Sequence, residues 1–511
     1  MLESYQVEHN SQNIYFRSIV GAAEAGSRMR LGVQLRTAEP VQRVLLRLWQ
    51  DQTGEQLIPL VPHDANAAQR FYTAWIELPD HGCLLWYYFI ITMESGTYFY
   101  GNNAEMLGGV GALYREQPPS YQVTIYNHGA HTPDWFKNSV MYQIFPDRFA
   151  RSGDAIVRKK GAVIRTDWTD DPMYLKDPDT KEIIAYDFFG GNLRGVMEKL
   201  DYLEKLGISC IYFNPVFESE SNHHYDTGDY HRIDPMLGDI EDFRSLVAAA
   251  RERGIRIILD GVFSHTGSNS IYFNRRQQYN SLGAYQSEES PYYSWYHFRN
   301  FPNEYDCWWN FDTLPNVNET DPSYMDFIIT GENSVLHHWM NEGIAGWRLD
   351  VIDELPPTFS KTFFAELKKR SPDAVMIGEV WEDASNKVAY GTPREYLSGN
   401  EMDSAMNYPL RSTMLDFLTE EADGQMTVRR LESQIENYPK ENLYAMMNLI
   451  SSHDVQRAIT ILGGVPYYEG MPAIEQSRVR MTLDQAMLGI RRLIMATLWQ
   501  MTYPGVPSVY Y

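Results

Sequence analysis

Cysteine is scarce in this chain: Cys83, Cys210 and Cys307 are the only three in 511 residues. So odd and sparse a set builds no disulfide framework, and without a CxxC or paired Cys/His spacing it gives no zinc site. Positive charge is short as well, with 44 Lys and Arg against 67 Asp and Glu and a formal charge of −23. That balance argues against nucleic acid, whose backbone is bound through a Lys/Arg excess. Long apolar runs are missing. No stretch reaches the ~18–20 uninterrupted apolar residues of a membrane helix. The opening MLESYQVEHNSQNIYF lacks a basic start leading into an apolar core, so no leader peptide is expected. These absences predict a cytoplasmic protein that engages neither nucleic acid nor membrane.

A chain of this length exceeds one compact core, so two or three domains are expected. Residues 1–125 hold short alternating segments, among them MRLGVQLR, QRVLLRLW, FYTAWIEL and LLWYYFIIT, separated by polar or glycine-containing turns. They read as an antiparallel β-sandwich, and 126–138 as a linker. From residue 138 to 511 the pattern becomes strand, loop, helix. GNLRGVMEKLDYLEKLG (191–207) and DIEDFRSLVAAARERG (239–254) are amphipathic helices closed by glycine, and IRIILDGVF (255–263) is the strand that follows the second. Further helices are expected near 426–438 and 478–502. Eight strand candidates with helices between them favour an α/β fold of the (β/α)8 TIM-barrel type. One connection, residues 266–325 after the third strand, is far longer than the rest and reads as an inserted subdomain. The last strand candidate, VPSVYY, has no eighth helix and no residues behind it to close the ring, so the architecture reads as truncated.

Three segments carry the chemistry: GWRLDVIDE (346–354), MIGEVW (376–381) and ISSHDVQR (450–457). In each, an apolar run leads into a carboxylate, Asp350, Glu379 or Asp454, at a predicted strand end, where barrel loops converge on one face. One acid to protonate a leaving oxygen and one carboxylate to attack or stabilise a sugar carbon are the requirements of glycoside cleavage. Arg348 precedes Asp350 by two residues on the same side of the strand. It is expected to lower the Asp350 pKa, while an apolar, aromatic neighbourhood is expected to raise that of Glu379. A structural Arg–Asp pair and a solvated loop glutamate are the alternatives. Thirty-five Tyr and twelve Trp supply flat faces suited to sugars or to ordinary packing. Trp308 and Trp309 in the long connection pose the same choice.

On these motifs the chain resembles the α-amylase family of glycoside hydrolases, and within it the neopullulanase, cyclomaltodextrinase and maltogenic amylase group. The motifs run in the family's order: DGVFSH (260–265), GWRLDVIDE, GEVW and SHD (452–454), with YDFFGGNLRG (186–195), SNHHYDTGDY (221–230) and DTLPNVN (312–318) beside them. The resemblance implies Asp350 as nucleophile, Glu379 as acid/base and Asp454 as the third carboxylate, which binds sugar hydroxyls. It implies substrate contacts from Tyr225, His265, Arg348 and His453, with Asp260 in support. Ser264 stands where the family usually has asparagine, and Asp353 where this group commonly has it, whereas Glu354 matches. No cofactor is required by this reading. Calcium, bound by relatives, would draw on Asp154 and Asn192. The implied substrates are maltodextrins, cyclodextrins, pullulan or starch, and the implied assembly is a homodimer through the N-terminal domain. The competing reading is a non-catalytic glucan-binding protein on the same fold.

Overall fold

The computed structural model describes residues 6–51, 53–66, 69–154, 157–170, 173, 175–176, 183–466, 470–476 and 478–511. They fall into two compact units. The first runs to His131 and takes in Glu382–Asp403 and Ser412–Tyr444. The second holds Thr132–Trp381, Ser404–Arg411 and Ala445–Tyr511.

The first unit is built on two sheets. One orders Val7–Glu8, Arg28–Arg36, Gln69–Glu77 and Val61–Asn66, all antiparallel. In the other, Cys83–Met93 pairs with Val41–Gln50, Gly96–Gly101 and Tyr121–Tyr126. Alternation places Met29, Leu31, Val33 and Leu35 in the core together with Leu46, Phe89, Ile91 and Val123. The two later segments of this unit lie in the 138–511 stretch read as barrel from sequence. Their membership depends on buried polar pairings that no periodicity announces. Gln122 Nε2 donates to Ser385 Oγ at 2.9 Å, and Asn386 Nδ2 donates to Gln122 Oε1 at 2.7 Å. The fully buried Arg17 donates to Glu436 Oε1 at 2.8 Å, to Ile19 O at 2.8 Å and to Gln122 O at 3.2 Å. Glu436 lies on the Gly424–Asn437 helix, the helix expected near 426–438.

The second unit is an eight-stranded parallel barrel. Its strands are β1 (Met141–Ile144), β2 (Cys210–Phe213), β3 (Arg256–Gly261), β4 (Gly346–Leu349), β5 (Val375–Gly378), β6 (Ser404–Ala405), β7 (Met447–Leu449) and β8 (Val506–Tyr510). The expected failure of the ring to close does not occur. β8 pairs with both β7 and β1, through Val506↔Met447 and Met141↔Ser508, and a parallel bridge Met406↔Met447 joins the β6 and β7 sides. Closure needs only two neighbours for every strand, and the five residues of VPSVY reach both.

The helices follow the expected spans with one change. The predicted helix over 191–207 is two, Leu193–Glu198 and Leu200–Lys205, broken at Lys199. Ile240–Glu252 starts at an Asp239/Asp242 capping box, and Gly254 behind it adopts φ +71°. The helix expected near 478–502 is Leu483–Thr502, with a Thr482/Gln485 capping box and Ile494 and Leu498 on an exposed side. Residues 266–325 carry little regular structure beyond the Phe298–Asn300/Glu304–Tyr305 hairpin and are packed around Tyr272, Phe273, Trp295 and Tyr296.

The buried Arg17–Glu436 pair gives a direct test of the first unit. Removing one partner strands a charge out of reach of water, a change that costs about 3–5 kcal/mol. Arg17→Met is therefore expected to lower the urea midpoint of this unit, followed by tryptophan fluorescence. An unchanged midpoint would show that the pair contributes nothing.

Candidate active site

The chemistry starts from the alternation of β4. Trp347 and Leu349 point outward into the helix layer, where Trp347 meets Phe263 and Phe363. Arg348 and Asp350 consequently point to the barrel axis. β4 and β5 approach closely at Gly346, where a Cβ would lie 2.2 Å from Val375 O. Only glycine allows that approach at the start of the two strands; Asp350 and Glu379 follow their far ends.

At those ends the Arg348 guanidinium, fully buried, gathers three carboxylates. Nη1 donates to Asp260 Oδ1 at 2.9 Å and to Asp350 Oδ1 at 2.7 Å, while Nη2 donates to Glu379 Oε2 at 2.7 Å. Glu379 also accepts from Val351 N at 2.9 Å and from Trp381 Nε1 at 3.0 Å. The Asp350 carboxyl lies within hydrogen-bonding reach of Glu379. Asp260 in turn accepts from Tyr212 at 2.6 Å and Tyr225 at 2.8 Å.

The electrostatics reverse the expectation. Burial works to raise Glu379, but the Arg348 charge, the Val351 N–H and the Trp381 N–H outweigh it and hold the carboxyl below its ordinary range. Asp350 is pushed well up by burial and by the charges of Glu379 and Asp260, despite Arg348. The aromatic neighbour of Glu379 contributes a donor rather than a dry wall, hence the change of sign. The two acids share one guanidinium, so the protonation of each depends on that of the other.

Asp454 completes the cluster. Tyr408 donates to its Oδ2 at 3.3 Å, and His453 Nε2 lies 3.1 Å from its Oδ1. About a quarter of its side chain, 26%, meets solvent, yet its position deep in the cleft and the Glu379 charge raise its pKa to about 7. His453 Nδ1 accepts from Gln143 Nε2 at 2.9 Å, leaving Nε2–H to face the Tyr225 hydroxyl at 2.5 Å. Burial and the Arg348 charge hold this imidazole well below its usual range, so it is neutral. The Tyr225 and His453 rings lie nearly parallel, at 9° and 5.3 Å.

Six of the seven residues singled out from sequence therefore meet in one network: Asp350, Glu379, Asp454, Arg348, Tyr225 and His453. The seventh, His265, sits behind it. Its Nδ1 pairs with Ser264 Oγ at 3.0 Å and its Nε2 with the Tyr225 carbonyl at 3.2 Å, and burial lowers its pKa to about 4. The geometry makes it a support for the Tyr225 backbone. Sequence reasoning passed over Gln143 and Asn214, which join through a 3.0 Å bond and orient His453 and Tyr225. The available signal was a polar residue inside, or just after, an apolar strand. It also missed the Trp381–Tyr408 stack, 4.0 Å apart at 6°, which ties the Glu379 donor to the Asp454 donor.

Calcium finds no cage in the expected donors. Asn192 spends its amide on Gly195 N, Ser152 N and Ser152 O as a helix cap, and Asp154 is exposed. Among the described residues no three His, Cys, Asp or Glu side chains converge as a metal site. Among them, too, no helix is long and apolar enough to cross a membrane.

A closed parallel barrel with an Arg-centred carboxylate cluster at the C-terminal ends of its strands defines the catalytic-barrel class. Residues 143–511 match the alpha amylase catalytic domain, and the chain belongs to the α-amylase family. It is 35% identical to an amylopullulanase of Thermoanaerobacter thermohydrosulfuricus over 99% of this chain and 36% of that protein. It is 34% identical to an intracellular maltogenic amylase of Bacillus subtilis (strain 168) over 74% of this chain and 59% of that one. A solved cyclomaltodextrinase superposes with a TM-score of 0.62 at 26% identity, covering 100% of this chain and 78% of its own. The chain thus spans between 28% and 59% of the length of the curated relatives it matches.

The raised Asp454 carboxyl has a stability consequence. Folding holds its proton up to about pH 7, against an ordinary value of 3.8, so the folded state loses stability as pH climbs through that window. Asp454→Asn is expected to melt higher than the parent at pH 8, with the gap closing at pH 4.5. A gap that does not widen with pH would contradict the raised carboxyl.

Proposed function

We propose that the chain is a retaining glycoside hydrolase. It cleaves α-1,4 and α-1,6 glucosidic bonds of maltodextrins, cyclodextrins, pullulan or starch, and transfers glycosyl units to sugars as well as to water. The observation that supports this reading best is the placement of Asp350 and Glu379 on the two Nη atoms of Arg348, within hydrogen-bonding reach of each other. So short a separation suits direct attack by one carboxylate rather than an intervening water.

In this mechanism a sugar entering the cleft displaces water and parts the two carboxyls. The proton they share passes to Glu379, which donates it to the glycosidic oxygen as that bond breaks. Asp350, ionised and still paired with Arg348, attacks the anomeric carbon from the opposite face. Glu379, now a carboxylate, takes a proton from water, whose oxygen displaces Asp350 with a second inversion. Asp454 and neutral His453 hold hydroxyls of the same sugar, and Tyr225 lies beneath it. No cofactor enters any step, and none is routed through calcium. The substrate is neutral, so the acidic surface is no obstacle. The reading extends to cytoplasmic residence and to a homodimer formed through the N-terminal unit. Static light scattering at twice the chain mass would support the dimer, and the monomer mass would overturn it.

Reducing-sugar release from maltotriose, β-cyclodextrin and pullulan tests the activity. Glu379→Gln is expected to lower it by about 10²–10⁴-fold, the range for loss of a positioned acid/base. NMR of the first product should show the α-anomer. Equal release by parent and variant would remove Glu379 from the mechanism. Sugar binding without any release would favour the non-catalytic glucan-binding alternative.

A further inference from the structure

A cavity of about 380 Å³ opens at the end of the barrel opposite the carboxylate cluster. Arg256 at the start of β3, Ala345 just before β4 and Ala374 just before β5 line it. Asp260, Asp350 and Glu379 stand at or beyond the far ends of the same strands. The buried Val247, Ile257 and Ile344 form apolar walls. Two arginines border the space: Arg256, and Arg251 from the last turn of the Ile240–Glu252 helix. Catalysis in barrels of this class belongs to the other end, so the hydrolase reading makes no use of this cavity.

Both guanidiniums are held by groups that carry no negative charge. Arg256 lies over the Trp135 ring at 4.4 Å, and Trp135 is fixed in turn by its Nε1–H, which donates to the Asp373 carbonyl at 2.8 Å. Arg251 passes over Gly343, where a Cβ would come within 2.6 Å of its Nη2. The glycine, at φ +94°, leaves open the space that the guanidinium occupies. Among the described residues no carboxylate pairs with either arginine, although the chain carries 67 acids against 44 Lys and Arg. Lys368 adds positive charge beside Ala374, whose carbonyl accepts from its Nζ at 2.6 Å. Asp373 in the lining opposes these cations and leaves the balance positive. A helix C-terminus favours a cation at Arg251, but it does not account for a second one on the same cavity.

We propose that this cavity is a binding site for the phosphate monoester of a small sugar, separate from the reaction centre and independent of its chemistry. Guanidinium forks that no acid occupies recognise phosphate through paired, charge-assisted hydrogen bonds. A phosphate monoester presents three terminal oxygens and suits two forks, whereas a carboxylate is satisfied by one. The volume exceeds what a bare phosphate fills and falls within the range of small-molecule pockets. The C–H faces of a sugar suit Val247, Ile257 and Ile344, and the Ser371 hydroxyl and Asp373 carboxylate in the lining suit its hydroxyls.

Calorimetry on the full chain, with glucose 6-phosphate, inorganic phosphate and glucose as probes, tests the site. Glucose 6-phosphate is expected to bind saturably, and Arg251→Gln and Arg256→Gln each to raise its Kd about tenfold, the loss of one charge-assisted contact. Inorganic phosphate should bind more weakly and lose affinity in the same variants. Glucose, which lacks the anion, should show no dependence on either arginine. An unchanged melting temperature without ligand certifies the folding of each variant. Arg251→Gln, on an exposed side chain, decides the matter if Arg256→Gln unsettles Trp135. No saturable binding of glucose 6-phosphate by the parent, or a Kd that Arg251→Gln leaves within twofold, overturns the proposal. Inorganic phosphate bound as tightly as glucose 6-phosphate overturns the sugar part of the assignment.

Discussion

The site depends on one buried guanidinium. Arg348 is wholly withdrawn from water and lies against Asp260, Asp350 and Glu379. Bringing three acids into a dry barrel end without a fixed countercharge would force them neutral or apart. A planar fork meets two carboxylates on one nitrogen and a third on the other, a geometry an ammonium group does not reproduce. The Tyr212 and Tyr225 hydroxyls on Asp260 are arranged around that fork.

The consequence is a shared proton. With Trp381 and Val351 donating to Glu379, the glutamate is the better-supported anion of the pair, while burial pushes the Asp350 carboxyl up. Cleavage runs with the opposite assignment. A sugar that separates the two carboxyls and removes their water is what converts one arrangement into the other. The neutral His453, oriented through Gln143, contributes a donor to this region without adding a charge that would disturb the balance.

Around this centre the aromatic residues divide by task. Trp347 fills the helix layer and fixes the direction of Arg348 through strand alternation. Trp381 donates to Glu379, and Trp308 braces His265. Of these four tryptophans, Trp309 is the most exposed. Composition alone shows many flat rings, whereas the burial of each one separates packing from recognition.

Local patterns were legible in the chain. Strand alternation placed Arg348 and Asp350 on one side, a closing glycine marked the end of the helix over 239–254, and the three carboxylates stood at strand ends as their apolar runs implied. Each of these depends on neighbours a few residues away, within reach of a periodic reading. Closure of the ring by VPSVY, the inward polar pair Gln143–Asn214 and the union of Ser412–Tyr444 with the N-terminal unit were not legible, because each joins residues tens to hundreds of positions apart. The same limit explains the proton. Sequence determined which acids stand at the barrel mouth, but the direction in which each carboxyl shifts follows from burial and from the Arg348 charge brought across from β4, and electrostatics at that range responds to distance and burial, not to order along the chain.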